Sequence, residues 1–122
     1  MSKRLLITDD ALIIREMIKD AAQQEGWEIA AEATNGQEAI EQYRACRPDA
    51  MTLDMVMPEY DGIYALQGIL QEDPNANVLV VSALDQQQVL HQALQLGARE
   101  FIFKPFDAVR LVDALENLAA AI

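Results

Sequence analysis

Short apolar runs alternate with stretches of helical periodicity along the whole of this chain. The first run, Leu5-Leu6-Ile7 within residues 3–8, stops at Asp9-Asp10. Ile14, Met17, Ile18 and Ala21 then recur three and four residues apart, the spacing of one helix face. The pattern predicts a strand and then a helix. Gly26 is placed to end that helix, and residues 27–33, from Trp27 to Ala33, form a second predicted strand. Asn35, with Glu38 three residues on, has the form of a helix start, and Ala39, Tyr43 and Cys46 follow until Pro48 forbids continuation.

The alternation repeats three more times. Ala50-Met51-Thr52-Leu53 leads to Asp54, with Ile63, Leu66 and Leu70 at helical spacing after it. Val78 to Val81 leads to Ser82, with a helix expected from about Gln86 to Leu96 and closed by Gly97. Phe101-Ile102-Phe103 leads to Lys104-Pro105, followed by a helix carrying Leu111, Val112, Leu115, Leu118 and Ile122 on one face. Asp73-Pro74-Asn75-Ala76-Asn77 is a turn between a helix and a strand. Five strands in alternation with five helices predict a parallel sheet covered on both faces, because parallel neighbours need helical crossovers and those crossovers are right-handed. The class is α/β, doubly wound. Trp27, Met17, Met51 and Tyr43 fall on faces expected to be buried.

Composition narrows this picture without changing it. The 122 residues, 52% hydrophobic and 24% charged, suit one compact domain over residues 1–122, and no linker or low-complexity tract divides them. No apolar run approaches the roughly 20 residues that span a bilayer, and acidic residues arrive too early for a signal peptide, so a cytoplasmic location is expected. The 20 acidic and 9 basic residues give a net charge of -11, which opposes direct binding to nucleic acid or to an anionic membrane. Cys46 is the single cysteine, so no internal disulfide is available. His91 has no second histidine or cysteine at ligand spacing, and a surface role is expected for it.

In open parallel sheets ligands sit beyond the carboxyl ends of the strands, so the residues that follow each apolar run carry the information. Here they are Asp9 and Asp10, Asp54, Ser82, and Lys104, while the second strand ends in nothing chemically notable. An Asp-Asp pair after a strand is often only a helix cap, and the serine or the lysine alone would be ordinary. Together they are a cluster of hard oxygen ligands whose mutual repulsion calls for a cation, and Mg²⁺ suits such a set while leaving room for phosphate oxygens. A lysine adds positive charge and a serine hydroxyl adds a donor. Metal, lysine and hydroxyl describe a phosphoryl-transfer site, with a carboxylate as the acceptor. Asp54, alone at the end of a central strand, is the best acceptor; the adjacent Asp9 and Asp10 suit metal holding.

Leu6-Ile7-Thr8-Asp9-Asp10, Leu53-Asp54-Met55-Val56-Met57-Pro58 with Asp61-Gly62, Val81-Ser82-Ala83, and Gly97-Ala98 followed by Phe101-Ile102-Phe103-Lys104-Pro105-Phe106 stand in register across essentially the whole chain. In this the chain resembles response-regulator receiver domains, and most of all single-domain chemotaxis regulators of the CheY type. The resemblance implies a flavodoxin-like sheet of order 2-1-3-4-5, for which such regulators are themselves a standard example, and a cis peptide between Lys104 and Pro105. It implies that Asp54 is phosphorylated by the phosphohistidine of a sensor histidine kinase. Asp10, Asp54 and the main-chain carbonyl of Val56 would lie on the metal, Asp9 would hold a metal-bound water, and Ser82 and Lys104 would bind the phosphoryl oxygens. Ser82 would then move toward the phosphoryl group and Phe101 would turn, altering the surface of the fourth helix, fifth strand and fifth helix for a downstream target. The aromatic at this position is often a tyrosine in the family, so with Phe101 switching would rest on packing alone. The expected protein is a monomeric signalling domain that assists its own phosphotransfer and dephosphorylation rather than an enzyme.

Two other functions fit the fold less well. A flavin-binding module needs a loop after the first strand that cradles phosphate, and two aspartates there would repel it. An aspartyl phosphatase would carry Asp-x-Asp at that place, together with an inserted cap. Val56 and Leu84 stand two residues after Asp54 and Ser82, positions that border the path of the attacking water in the family. Neither orients water, so slow hydrolysis of the acyl phosphate is expected, with a separate phosphatase partner where the response must be rapid.

Overall fold

The computed structural model describes residues 3–122; Met1 and Ser2 lie outside the described residues. Five strands, β1 (Lys3–Thr8), β2 (Trp27–Ala33), β3 (Ala50–Asp54), β4 (Val78–Ala83) and β5 (Glu100–Lys104), alternate with α1 (Leu12–Gln24), α2 (Gly36–Cys46), α3 (Gly62–Glu72), α4 (Gln87–Leu96) and α5 (Ala108–Ala120). A single 3₁₀ turn, Leu84–Gln86, precedes α4. All four strand pairings are parallel and the order is β2-β1-β3-β4-β5, as the motifs implied.

Strand alternation divides the interior in two. Leu6, Met51, Leu53, Val78 and Val80 face α2, α3 and α4, whose Ala39, Ile40, Leu66, Ile69 and Leu90 complete one core. Leu5, Ile7, Ala50, Leu79, Val81 and Ile102 face the other way, against Ile18 and Ala22 of α1 and Leu111, Leu115 and Leu118 of α5. Strands β1, β3 and β4 therefore read as largely apolar runs, the signature of a sheet buried on both faces. Truncating one of these leucines or isoleucines to alanine would cost about 2–5 kcal/mol.

Helix starts follow the sequence closely. Asn35 Oδ1 accepts from the Glu38 amide at 2.9 Å, and Asp61 and Asp107 cap α3 and α5 in the same way at 3.0 and 2.8 Å. The Glu38 carboxylate reaches back to Thr34 N at 2.9 Å, one residue before the cap. Gly26, with φ +87°, lies just past α1, and Cys46 is the last residue of α2. Trp27, Tyr43 and Met51 are buried and His91 is exposed, as expected.

Two core assignments fail. Met17 is 42% exposed. The buried line of α1 runs through Ile18 and Ala22, one turn apart, and Met17 sits about 100° off it, beside the groove toward Phe106 and Val112 of the α5 end. Ile122 is 59% exposed and follows the end of α5 at Ala120, so no helical face directs it inward.

Candidate functional site

The carboxyl ends of β1, β3 and β5 bring Asp9, Asp54 and Lys104 together. Asp9 and Asp54 are buried and Asp10 is exposed, and one carboxylate oxygen from each of the three lies within 4.8 Å of the others. The Lys104 ammonium stands 2.8 Å from Asp9 Oδ2 and 3.4 Å from Asp54 Oδ2. The Lys104-Pro105 peptide is cis. Asp9 Oδ1 accepts from the Ala11 amide at 2.9 Å, so this carboxylate also closes the turn into α1. The turn bond and the lysine contact use different oxygens of one residue.

Close packing holds Asp54 in place. A side chain on Gly62 would put its Cβ 2.5 Å from the Asp54 carbonyl oxygen and 2.7 Å from Met55 Cα. The N-terminus of α3 thus rests directly on the backbone of the site, and only glycine fits there. The Gly62 amide donates to the Met55 carbonyl at 3.1 Å, and the Met55 amide to that of Val81 at 3.2 Å.

The electrostatics are those of a site short of positive charge. Burial, and then the nearby charge of Asp9, push the Asp54 carboxyl up from 3.8 to about 6, with Lys104 and the Val56 amide only partly offsetting them. Burial works against the Lys104 charge, but its bond to Asp9 and the charges of Asp54 and Asp9 outweigh that and hold the ammonium above its usual range. Asp9 Oδ2 is buried with no hydrogen bond of good geometry, only the lysine as counter-charge. Converging hard oxygens of three carboxylates with one ammonium against them fit a small divalent cation such as Mg²⁺.

The remaining predicted residues lie around this centre. Val56 donates its amide to Asp54 Oδ1 at 3.3 Å, while its side chain is 52% exposed. Ser82 is fully buried, one residue past Val81, the register partner of Asp54. Its hydroxyl hydrogen bonds stay within its own loop, to Ala83 O at 3.2 Å and to Gln86 Oε1 at 3.5 Å. Phe101 is half-buried, and the register sets it beside Val80; Phe103 stands beside Ser82. The two phenylalanine rings meet edge to face at 5.4 Å, so Phe103 lies between the serine and the expected switch aromatic. Leu84, 61% exposed, stands on the rim.

Residues with no sequence signal also hold the site. Arg15 of α1 donates to the Asp9 carbonyl at 2.8 Å and pairs with Glu32 of β2 at 3.1 Å, and Lys19 joins the same glutamate at 2.9 Å. The hydrogen bond from Lys19 holds the Glu32 carboxyl below its ordinary range. The second strand is therefore not chemically silent, since it anchors the loop that carries Asp9. Gln86 closes the β4–α4 turn with its side chain. The Arg15 and Lys19 contacts cross between elements, where periodicity gives no warning, whereas the Gln86 bond spans three residues of one turn.

A doubly wound sheet with two buried aspartates and a lysine at its carboxyl edge defines a class of phosphoryl-accepting signalling modules. The chain belongs to the response regulator receiver domain family, whose sequence model matches residues 5–116. It is 47% identical over 119 residues to the chemotaxis protein CheY of Thermotoga maritima, covering 98% of this chain and 99% of that protein. It is 47% identical over 117 residues to the chemotaxis protein CheY of Bacillus subtilis, covering 96% and 98%. Among solved structures it superposes on a chain of the CheX-CheY-BeF3-Mg complex of Borrelia burgdorferi with a TM-score of 0.90, at 33% identity, covering 96% of this chain and 89% of that one.

Proposed function

We propose that this receiver domain accepts a phosphoryl group onto Asp54 from the phosphohistidine of a sensor histidine kinase, and that it acts in chemotaxis. The observation that carries the assignment is the placement of Asp54: a buried carboxylate closing a central strand, 3.4 Å from Lys104 at the sheet's carboxyl edge. The relatives' names support the chemotaxis role. An Asp54 oxygen forms the bond to phosphorus as the P–N bond of the phosphohistidine breaks and its electron pair returns to the imidazole. Lys104 and the Ser82 hydroxyl take the phosphoryl oxygens, so positioning and charge neutralisation supply most of the acceleration.

Asp10, Asp54 and the Val56 carbonyl would hold Mg²⁺, with Asp9 on a metal-bound water. When bound, the ion neutralises the carboxylates and the oxygens of the incoming phosphoryl group. The domain is a signalling module with self-directed phosphotransfer and dephosphorylation, and it turns over no separate substrate. Its output surface is α4, β5 and α5, offered to a downstream protein, and it works as a cytoplasmic monomer over residues 1–122. No helix among the described residues is long and apolar enough to cross a membrane. The net charge of -11 supports protein partners over nucleic acid.

Intact mass with acetyl phosphate and Mg²⁺ tests the assignment. The parent gains one phosphoryl group and Asp54→Asn gains none. Equal modification of the variant at the same rate would refute Asp54 as acceptor. Asp10→Asn keeps the acceptor and is expected to weaken Mg²⁺ binding most.

A further inference from the structure

The β4–α4 turn, a 3₁₀ turn over Leu84–Gln86, is closed by a side chain as well as by its own backbone. Gln86 Oε1 accepts the Ala83 amide at 2.9 Å and lies 3.5 Å from the hydroxyl of Ser82. Both donors sit at the end of β4, beside the carboxylate of the register pair Asp54 and Val81. Among the described residues no other side chain hydrogen-bonds to either donor. Leu84 and Asp85 between them are exposed, so the turn has little packing of its own to hold it. Beyond the pairing of β4 with β5, the 3₁₀ turn and the 3.2 Å contact of the Ser82 hydroxyl with Ala83 O, one amide oxygen therefore ties Ala83 and Ser82 to the turn.

We propose that Gln86 is a positioning residue that latches the β4–α4 turn in the resting state and opposes the movement of Ser82 toward the phosphoryl group. The proposal rests on the assignment of Ser82 as a phosphoryl ligand. A serine hydroxyl has one proton to donate, so giving it to a phosphoryl oxygen withdraws it from the loop. Drawing Ser82 toward Asp54 also pulls on Ala83, whose amide is bonded to Gln86. The ligand can shift the equilibrium only by its differential interaction with the two states, and the latch sets the part of that interaction consumed in release. Removing the acceptor lowers the cost of switching without touching a phosphoryl ligand.

Beryllofluoride, an acyl-phosphate mimic, is the probe, titrated at saturating Mg²⁺ into the parent, Gln86→Met, Ser82→Ala and the double variant. Methionine keeps the length of the side chain and removes the strong acceptor. Gln86→Met is expected to bind the mimic about three- to tenfold tighter, the range for loss of one net hydrogen bond in the resting state, with Mg²⁺ affinity in the absence of the mimic unchanged. Ser82→Ala is expected to bind it more weakly, and the gain from Gln86→Met should vanish in that background. Unchanged or weaker binding by Gln86→Met, with Ser82→Ala still impaired, overturns the latch and leaves the serine assignment standing. An equal gain in both backgrounds also overturns it, since the effect would not pass through Ser82. Unimpaired binding by Ser82→Ala removes the serine assignment itself, and the latch with it. In the parent, the side-chain carbonyl resonance of Gln86 and the amide of Ala83 must both move on saturation with the mimic; no movement overturns the latch whatever the variants do.

Discussion

The two ends of the sheet are built on opposite principles. At the amino end, polar side chains close what the helices leave open. Arg4 donates to the Cys46 and Arg47 carbonyls at the end of α2, Lys3 donates to the Glu25 carbonyl after α1 at 3.0 Å, and buried Asn77 donates to the Leu118 carbonyl near the end of α5 at 2.8 Å. Three of the five helix C-termini are thereby served. At the carboxyl end, two buried aspartates lie together with a third nearby, faced by the one ammonium of Lys104. The same backbone that gains stability at one end is strained by like charge at the other. Like charge left uncompensated is what a cation entering the cluster would relieve.

The largest effect is expected where that charge is removed. A folded-state carboxyl raised above its unfolded value binds protons more readily in the native state, so Asp54 costs stability as pH rises through about 6. The metal-free Asp54→Asn variant should therefore be more stable than the parent near pH 8, by roughly 3 kcal/mol at most. The difference should shrink as pH falls through 6 and be gone near 4. Urea denaturation of both proteins across this range measures it, and a pH-independent difference would show that charge is not the cause.

The amino end should respond with the opposite sign. Asn77→Ala removes the buried side-chain donor of the Leu118 carbonyl, which keeps only the Ala121 amide at 3.1 Å, and is expected to destabilise by about 1 kcal/mol at every pH. A loss below a few tenths would mean that solvent reaches the end of α5 and that the contrast between the two ends is weaker than their geometry indicates.

A smaller effect is expected on the rim. Val56 and Leu84 are exposed and apolar beside Asp54 and the Ser82 turn. The double variant Val56→Asn and Leu84→Glu should hydrolyse its acyl phosphate faster than the parent, on the order of tenfold, because polar groups there can orient the attacking water. Phosphate release after removal of the donor, at equal Mg²⁺, measures it. Equal rates, or a slower variant, would show that the rim does not control the lifetime of the signal.

Much of this was legible in the chain itself. Four of the five strands follow apolar runs, because strands packed between helices admit few polar residues and leave their functional groups at the strand ends. Asp9, Asp54 and Lys104 stand out for that reason, and Asn35 and Gly26 mark helix boundaries because their local chemistry suffices. Tertiary structure decided what local chemistry does not reach. Met17 lies outward because α1 presents a narrower stripe to the sheet than its periodicity offers. Phe103 stands beside Ser82 through the pairing of β4 with β5, a register set by packing. Arg15 reaches the Asp9 carbonyl, and Glu32 anchors it, only once α1 lies across β2. Sequence spacing encodes which faces are apolar; which polar group meets which depends on how those faces come to rest against one another.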